Sequence, residues 1–237
     1  MRLSIIIPLY NEGDDIITLL EQFETVPFPE NLSGKEFIVF DDCSEDDSFE
    51  LVSKYIENRG DFILLKHEYN KGKGAAIRTG IHHATGDLFL IQDGDLELSP
   101  LDIPSMIDAM VSLNVEFING SRYLPGVPRP LASYKRYLGN KIFTNLTSVL
   151  INVKLTDMAC GYKLIHKNLY QKINLKENRF GFEAELLIKA LRIKKNNIAE
   201  VPVRYFPRNY GDGKKLNNTD ALNILWTIIK YGVLGLK

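Results

Sequence analysis

The chain has only two cysteines among its 237 residues. Cys43 and Cys160 are far apart and do not form a metal-binding pair, which excludes a zinc or iron–sulfur module held by cysteines. A chain of this length does not need disulfides, so we expect both thiols to be reduced, as in a cytosolic protein. No stretch reaches the roughly 18–20 apolar residues that a membrane-spanning helix needs.

The sequence also lacks an excess of charge of either sign and a recognisable leader. It contains 29 Lys and Arg against 30 Asp and Glu, a formal net charge of −1. This balance argues against a nucleic-acid partner, because no basic field covers the molecule. The first apolar run, Leu3–Leu9, is short, contains Pro8 and leads directly into a polar segment, so we expect no signal peptide.

Short apolar runs alternate with helical patterns over the first part of the chain. The predicted strands are Leu3–Pro8, Glu36–Phe40, Phe62–Leu65 and Leu88–Ile91. The predicted helices between them are Asp14–Phe23, a segment capped by Ser44 that runs to about Ile56, and Ala75–Ala84. This alternation predicts a Rossmann-like, mostly parallel sheet flanked by helices, with ligands at the carboxyl ends of the strands.

The alternation becomes less regular after Asp95. Here the predicted helices are Pro104–Leu113, Lys141–Leu150 and Glu183–Ile193, and the predicted strands are Phe117–Asn119 and Ile198–Val203. Because no linker or repeat interrupts this half, we predict one continuous α/β domain over residues 1–217. An apolar C-terminal helix is predicted over residues 218–237. Ala221–Leu236 is too short to cross a bilayer, and it either packs on the core or lies at a membrane interface.

Asp93-Gly94-Asp95 is the most informative motif because it concentrates two carboxylates directly after an apolar strand. A divalent cation would offset their repulsion. Oxygen ligands suit Mg²⁺ or Mn²⁺, with the remaining positions filled by water and diphosphate oxygens. Glu97 is a candidate third ligand. A solvated acidic turn is the alternative, but a position after a buried strand favours the metal site.

Together with this acidic motif, three other motifs resemble, in order and spacing, those of a family 2 glycosyltransferase with the GT-A fold. These motifs are Ile5–Glu12, Val39–Ser44 and Asn70–Gly74. Within that family the chain is most similar to the dolichyl- or polyprenyl-phosphate mannose or glucose synthase type. The resemblance covers nearly the whole chain. The middle residue of the acidic motif in this group is usually Ala, so Gly94 is a mild departure.

The resemblance implies a nucleotide-binding set at the strand ends. The set consists of Pro8, Tyr10, Glu12, Asp42, Lys73 and Asp93. Asp42 would face the base or ribose, although it could instead support the helix that follows Ser44. Lys73 would reach the donor diphosphate, although it could equally be a surface lysine in a glycine turn.

The resemblance also implies an acceptor site in the second half. Arg122 would handle phosphate, and Asp157 would either approach the acceptor as a base or cap a loop. Arg204–Leu216 resembles an arginine- and lysine-containing segment that folds over phosphate, with Arg208, Lys214 and Lys215 as its cations. A basic surface tail is the alternative for this segment.

The function implied is inverting transfer of a hexose from a nucleotide-diphosphate sugar, of GDP-mannose or UDP-glucose type, to a dolichyl or undecaprenyl phosphate. The catalytic residues would then be Asp93, Asp95, Asp157 and Arg208. A polyprenyl phosphate is already anionic near neutral pH, so Asp157 is needed as a base only if the acceptor is a saccharide hydroxyl.

Two alternatives remain open: a family 2 enzyme that acts on a saccharide in glycan assembly, and a non-catalytic nucleotide-sugar binding protein. A nucleotidyltransferase is less favoured, because the Gly-rich phosphate loop expected near its first strand is missing. We expect a cytoplasmic location, with possible peripheral contact to the cytoplasmic face of a membrane.

Overall fold

The computed structural model describes residues 1–129, 133–195, 197–208 and 218–235. Within these ranges seven strands form one sheet in the order β3-β2-β1-β4-β6-β5-β7. The strands are β1 Arg2–Leu9, β2 Gly34–Asp41, β3 Phe62–Lys66, β4 Leu88–Ile91, β5 Phe117–Ser121, β6 Lys163–His166 and β7 Ile198–Pro202. Neighbouring strands are parallel except at β6, which is antiparallel to both β4 and β5.

Helices cover both faces of the sheet. They are α1 Asp14–Gln22, α2 Ser48–Tyr55, α3 Lys73–His83, α4 Ile103–Ser112, α5 Tyr134–Ile151, α6 Lys167–Tyr170, α7 Phe182–Ile193 and α8 Asn218–Gly232. In β1, Ile5 and Ile7 pack into the core on one face and Ile6 into the core on the other. Because a strand sends alternate side chains to opposite faces, burial on both sides explains why β1 is an uninterrupted apolar run.

The predicted mostly parallel architecture is confirmed, and two local predictions are wrong. The first four strands lie within two residues of their predicted bounds. The helix predicted to begin at Ser44 begins at Ser48 instead, because the Ser44 N–H and hydroxyl donate to the Asp41 carboxylate. The helix predicted at Lys141–Leu150 is longer, since it begins at Tyr134, where the Ser133 hydroxyl accepts from the Arg136 N–H at 3.5 Å.

Strand β6 determines which loops reach the carboxyl edge of the sheet. Its pairing with β4 brings Lys163 opposite Ile91, the last residue of β4. Since β6 runs antiparallel, its beginning lies at the edge where β1, β2 and β4 end. The segment before Lys163 therefore meets the segment after Ile91, and this places the Thr156–Lys163 segment beside the acidic motif.

Helix α8 packs one of its faces against the rest of the molecule. Ile224, Ile228 and Tyr231 are buried in the same core as residues of α7. None of the helices in the described ranges has both the length and the apolar character needed to span a bilayer.

Candidate active site at the carboxyl edge of the sheet

Four carboxylates gather where β1 and β4 end. Asp93, Asp95 and Glu97 follow β4, and the Glu97 N–H donates to Asp95 Oδ1 at 3.2 Å. Glu12 follows β1 and approaches them, because a Cβ built on Gly94 would lie 3.5 Å from Glu12 Cγ and 3.0 Å from the Pro8 carbonyl oxygen. This tight contact with β1 gives a local reason for glycine where the resembling family usually has alanine.

The negative charge of each carboxylate makes ionisation of its neighbours less favourable. Burial, followed by the charges of Asp93 and Glu97, raises the pKa of Asp95 to about 7. Burial also raises the pKa of Glu12, despite a hydrogen bond from Arg208. The site therefore holds more negative charge than its surroundings stabilise, which is the electrostatic condition that a bound cation relieves.

Lys73 supplies one compensating positive charge. Its Nζ lies 2.6 Å from Asp93 Oδ1 and 2.6 Å from Glu183 Oε1. Burial alone would lower the pKa of Lys73, but the charges of Asp93 and Glu183 raise it above its ordinary value. Lys73 is the first residue of α3 and Glu183 lies in the first turn of α7, so the two ion pairs of Lys73 join both helices to the acidic motif.

Arg208 supplies the second charge from the far end of the chain. The Phe206 N–H donates to the Glu97 carbonyl at 2.9 Å, which fixes the segment after β7 against the acidic motif. The Arg208 guanidinium then pairs with Glu12, and the backbone N–H of Arg208 donates to Glu97 Oε1 at 3.2 Å. Lys214 and Lys215, the other cations predicted in this segment, lie outside the described residues.

Asp42 holds the loop that leads into Lys73. Its buried carboxylate accepts from the Lys71 N–H at 2.9 Å and the Gly72 N–H at 2.6 Å, and it lies 2.7 Å from His67 Nδ1. Gly72 has a φ of 97°, a conformation that favours glycine. Three protein groups thus contact the carboxylate, while the contact of Asp42 with a nucleotide stays a prediction.

Arg122 and Asp157 form a second, buried ion pair. Arg122 Nε lies 2.7 Å from Asp157 Oδ2, and Nη2 lies 2.9 Å from Oδ1. Asn140 Nδ2 donates to the same Oδ1 at 2.8 Å. Burial acts to raise the pKa of Asp157, but the Arg122 charge holds that pKa below its ordinary value. The carboxylate is therefore ionised and fixes the guanidinium; its predicted role as a base stays a prediction.

Arg122, the loop after it and residues of α5 line a cavity of about 320 Å³. Two of the lining cations, Arg129 and Lys141, were not predicted from the sequence. The Arg129 guanidinium lies 4.3 Å from the centroid of the Tyr123 ring, and Lys141 Nζ lies 4.7 Å from it. Lys141 Nζ also donates to the Thr156 carbonyl at 3.2 Å. No motif marks these positions, because they meet only when α5 packs beside the loop after β5.

Gly161 is a further residue that the sequence did not single out. A Cβ on Gly161 would lie 2.1 Å from Asp93 Oδ2, a distance that no side chain tolerates. Glycine at this position therefore allows Asp93 to occupy its place at the site. No predicted helix or strand adjoins Gly161, and its partner could not be known before the pairing of β6.

The residues present suit a hard divalent cation in their chemistry. Asp93, Asp95 and Glu97 offer carboxylate oxygens of the kind that Mg²⁺ and Mn²⁺ prefer. Across the described parts of the chain, no three acidic, histidine or cysteine side chains converge as a complete ligand set. The protein would therefore supply only part of the coordination shell, which leaves positions for diphosphate oxygens and water.

Comparisons with known proteins place these features in context. The family model described as Glycosyl transferase family 2 matches residues 4–173. A dolichyl-phosphate beta-glucosyltransferase of Trichomonas vaginalis is 29% identical over 225 residues, which cover 89% of this chain and 65% of that protein. A dolichol-phosphate mannosyltransferase of Pyrococcus furiosus is 26% identical over 237 residues, which cover 98% of this chain and 64% of that protein. The chain thus spans just under two thirds of the length of these two relatives.

The solved structures that resemble the chain share its fold. Glucosyl-3-phosphoglycerate synthase of Mycobacterium tuberculosis, in complex with Mn²⁺, UDP and glucosyl-3-phosphoglycerate, gives a TM-score of 0.74 at 17% identity. The match covers 97% of this chain and 79% of that one. The same enzyme with Mg²⁺ and UDP gives a TM-score of 0.71 at 15% identity, covering 97% of this chain and 78% of that one. The predicted GT-A fold is confirmed; at these identities the likeness shows the fold alone.

The raised pKa of Asp95 predicts that Asp95→Asn stabilises the metal-free protein at alkaline pH. Between the ordinary value of 3.8 and the folded value of about 7, the folded state binds the extra proton. Stability is therefore lost as the pH rises through this window. We expect the free energy of unfolding of the variant to exceed that of the wild type by about 1–3 kcal/mol at pH 8 and to equal it near pH 4. Urea unfolding in EDTA measures this difference, and a gap that is equal at both pH values would contradict it.

The close approach of Gly161 to Asp93 predicts that Gly161→Ala costs about 1–3 kcal/mol of stability, because an added methyl group overpacks the site. The matched control is Gly60→Ala, since a Cβ on Gly60 meets nothing within 4 Å. Thermal or urea unfolding compares the two variants. Equal stability for both would refute the proposed contact.

Proposed function

The chain belongs to glycosyl transferase family 2, and we propose that it moves a hexose from a nucleotide-diphosphate sugar to a polyprenyl phosphate. The donor is of the GDP-mannose or UDP-glucose type, and transfer inverts the anomeric configuration. The names of the relatives from Trichomonas vaginalis and Pyrococcus furiosus support this acceptor class.

The observation that carries the acceptor proposal is the basic cavity beside α5. Arg122, Arg129 and Lys141 line it together with Tyr123 and Tyr137, and no acidic residue is among the described residues that line it. Arginine and lysine in this arrangement suit the oxygens of a phosphate monoester. A neutral saccharide would gain little from this concentration of positive charge.

On the donor side, we assign nucleotide binding to one set of residues and stabilisation of the leaving diphosphate to another. Pro8, Tyr10, Glu12 and Asp42 bind or support the nucleotide, and Lys73 and Arg208 offset the charge that develops on the leaving diphosphate. A divalent cation held by Asp93, Asp95 and Glu97 would add electrostatic stabilisation of the same leaving group.

With a phosphate as the acceptor, Asp157 is not needed as a general base. A phosphate monoester is largely ionised near neutral pH, so its oxygen needs no strong base before it attacks the anomeric carbon. Asp157 then acts by orienting Arg122, to which it is bonded through both oxygens. Its role as a base belongs to the alternative in which a saccharide hydroxyl is the acceptor.

Peripheral membrane contact is the third part of the proposal, and exposed apolar side chains on two helices support it. On α8, residues 218–232, these are Leu222 and Trp226, and Val233 continues the same face directly after the helix. On α5 they are Tyr134, Leu138, Ile142 and Val149, the last of which is 78% exposed. Within each helix the residues recur at intervals of four or seven and so share one face.

The charges near these faces suit an anionic bilayer surface. From residue 133 to residue 156 the charged residues are all cations: Lys135, Arg136, Lys141 and Lys154. Helices α5 and α8 also touch, because a Cβ on Gly232 would lie 3.1 Å from Leu150 Cδ1. Apolar side chains beside cations are typical of helices that lie in a membrane interface. We accordingly propose that the C-terminal segment of residues 218–237 docks on the domain of residues 1–217 through one face of α8 and faces lipid with the other.

The metal part of the proposal predicts that Asp93→Asn or Asp95→Asn lowers turnover by at least a thousandfold, because each removes a charge that the cation needs. EDTA should abolish the activity of the wild type, and added Mn²⁺ or Mg²⁺ should restore it. The control is Asp108→Asn, which removes an exposed carboxylate on α4 and should leave turnover unchanged. Full turnover in excess EDTA would contradict the proposal.

If the basic cavity binds the acceptor phosphate, Arg129→Gln and Lys141→Gln should each slow transfer to a short polyprenyl phosphate by about tenfold, because each removes a charge that holds the phosphate. Donor hydrolysis should change little. The assay screens UDP- and GDP-sugars with lipid-phosphate and saccharide acceptors side by side. Lys172→Gln is the control, since Lys172 is exposed and does not line the cavity.

Two results of this screen would overturn the proposal. Transfer to a free saccharide with none to polyprenyl phosphate would favour the glycan-assembly alternative. Binding of donors without hydrolysis or transfer would favour the non-catalytic alternative.

A further inference from the structure

A larger cavity, of about 750 Å³, lies between α3, α8 and residues 176–181. None of Glu12, Asp93 and Asp95 is among the described residues that line it. Lys73, although close to it in sequence, directs its ammonium group to Asp93 and Glu183 instead. The cavity is therefore separate from the acidic cluster, and none of the described residues that line it also lines the basic cavity beside α5.

The cavity carries a strong excess of positive charge. Among the described residues, five cations line it, against a single carboxylate, that of Glu177. The cations are Lys71, Arg78, Lys176, Arg179 and Lys230. Lys230 Nζ lies 2.9 Å from Glu177 Oε1, and the Tyr231 hydroxyl donates to the same oxygen at 3.2 Å. The one carboxylate is thus already paired within the protein, and among the described residues of the lining no second carboxylate accompanies Lys71, Arg78 and Arg179.

Part of this lining is held in place by the fold. The Arg78 guanidinium donates to the Glu177 carbonyl and to Asn178 Oδ1. Glu177 is fixed in turn, because its N–H donates to the buried Glu185 carboxylate at 2.8 Å. Arg78 therefore presents its charge from α3 without having to be ordered by a ligand. Fixed cations of this kind favour an anionic ligand, since little conformational entropy is lost on binding.

The mouth of the cavity is aromatic and borders the apolar face of α8. Trp226 is 58% exposed and belongs to that face, and the exposed Tyr69 also lines the cavity. Tryptophan is the side chain most typical of the boundary between lipid and water. The positively charged interior and this rim together suit a ligand with an anionic head and an apolar tail.

We propose that this cavity binds the phosphate of an anionic phospholipid headgroup, as a site additional to the donor and acceptor sites. The volume is within the usual range for one small ligand, about 300–1,000 Å³. The lipid source rests on the membrane contact proposed above, whereas a soluble phosphate ester would offer the same oxygens. Because Trp226 comes from α8 and Arg78 from α3, a bound headgroup would hold α8 against the domain at the bilayer surface.

Trp226 provides the readout, because it is the only tryptophan of the chain. Its fluorescence is followed while the full chain, without donor, is titrated with dihexanoyl phosphatidylglycerol below its critical micelle concentration. The parallel titrations use dihexanoyl phosphatidylcholine and glycerol phosphate. We expect a saturable blue shift with phosphatidylglycerol and at least tenfold weaker responses to the other two probes.

Variants locate the response within the cavity. The double substitution Lys71→Gln with Arg179→Gln should weaken phosphatidylglycerol binding at least fivefold. Lys54→Gln, which removes an exposed lysine on α2, should leave it unchanged. An equal response to phosphatidylcholine, an equal response to glycerol phosphate, or no saturable response would each overturn the proposal. No donor or acceptor is present, so this result is independent of the transferase assays.

Discussion

Mutual repulsion among the carboxylates at the carboxyl edge of the sheet is the constraint on which the rest of the site depends. Asp93, Asp95 and Glu97 arrive on one short turn, and Glu12 approaches from β1. Burial and this crowding raise the pKa of Asp95 to about 7. A protein would not keep such an arrangement for stability alone, since uncompensated like charges destabilise the folded state. The arrangement has a function if a cation and a diphosphate complete it.

The two cations that offset this charge come from distant parts of the chain and connect the site to the whole fold. Lys73 reaches Asp93 because Asp42 holds the backbone N–H groups of Lys71 and Gly72 just before α3. Arg208 reaches Glu12 because the segment after β7 is bonded to Glu97. Donor binding at this cluster would therefore affect α3, α7 and the segment after β7 together, because the ion pairs of Lys73 and Arg208 connect all three to it. Beside the basic cavity proposed for the acceptor, the buried Asp157–Arg122 pair fixes a cation in the same way.

Local pattern was enough to predict the four strands of the first half of the chain, of which β1 and β4 are apolar and almost entirely buried. It was not enough where the answer depends on pairing between distant segments. The antiparallel insertion of β6 decides that Gly161 meets Asp93, and only packing of α5 brings Lys141 to Tyr123. The motifs identified the acidic turn and Lys73, but not the ion-pair partner of Lys73. Glu183 is a first-turn carboxylate of α7 whose sequence position is explained equally well by the helix dipole.

The central claim is that a divalent cation and a nucleoside diphosphate together complete the carboxylate cluster. Calorimetric titration of UDP and of GDP into the wild-type protein, with Mn²⁺ and with EDTA, tests it most directly. We expect at least one of the two nucleotides to bind at least tenfold more tightly with Mn²⁺ than in EDTA, because each ligand relieves the charge that opposes the other. Equal affinity with and without Mn²⁺ for the nucleotide that binds would contradict the account.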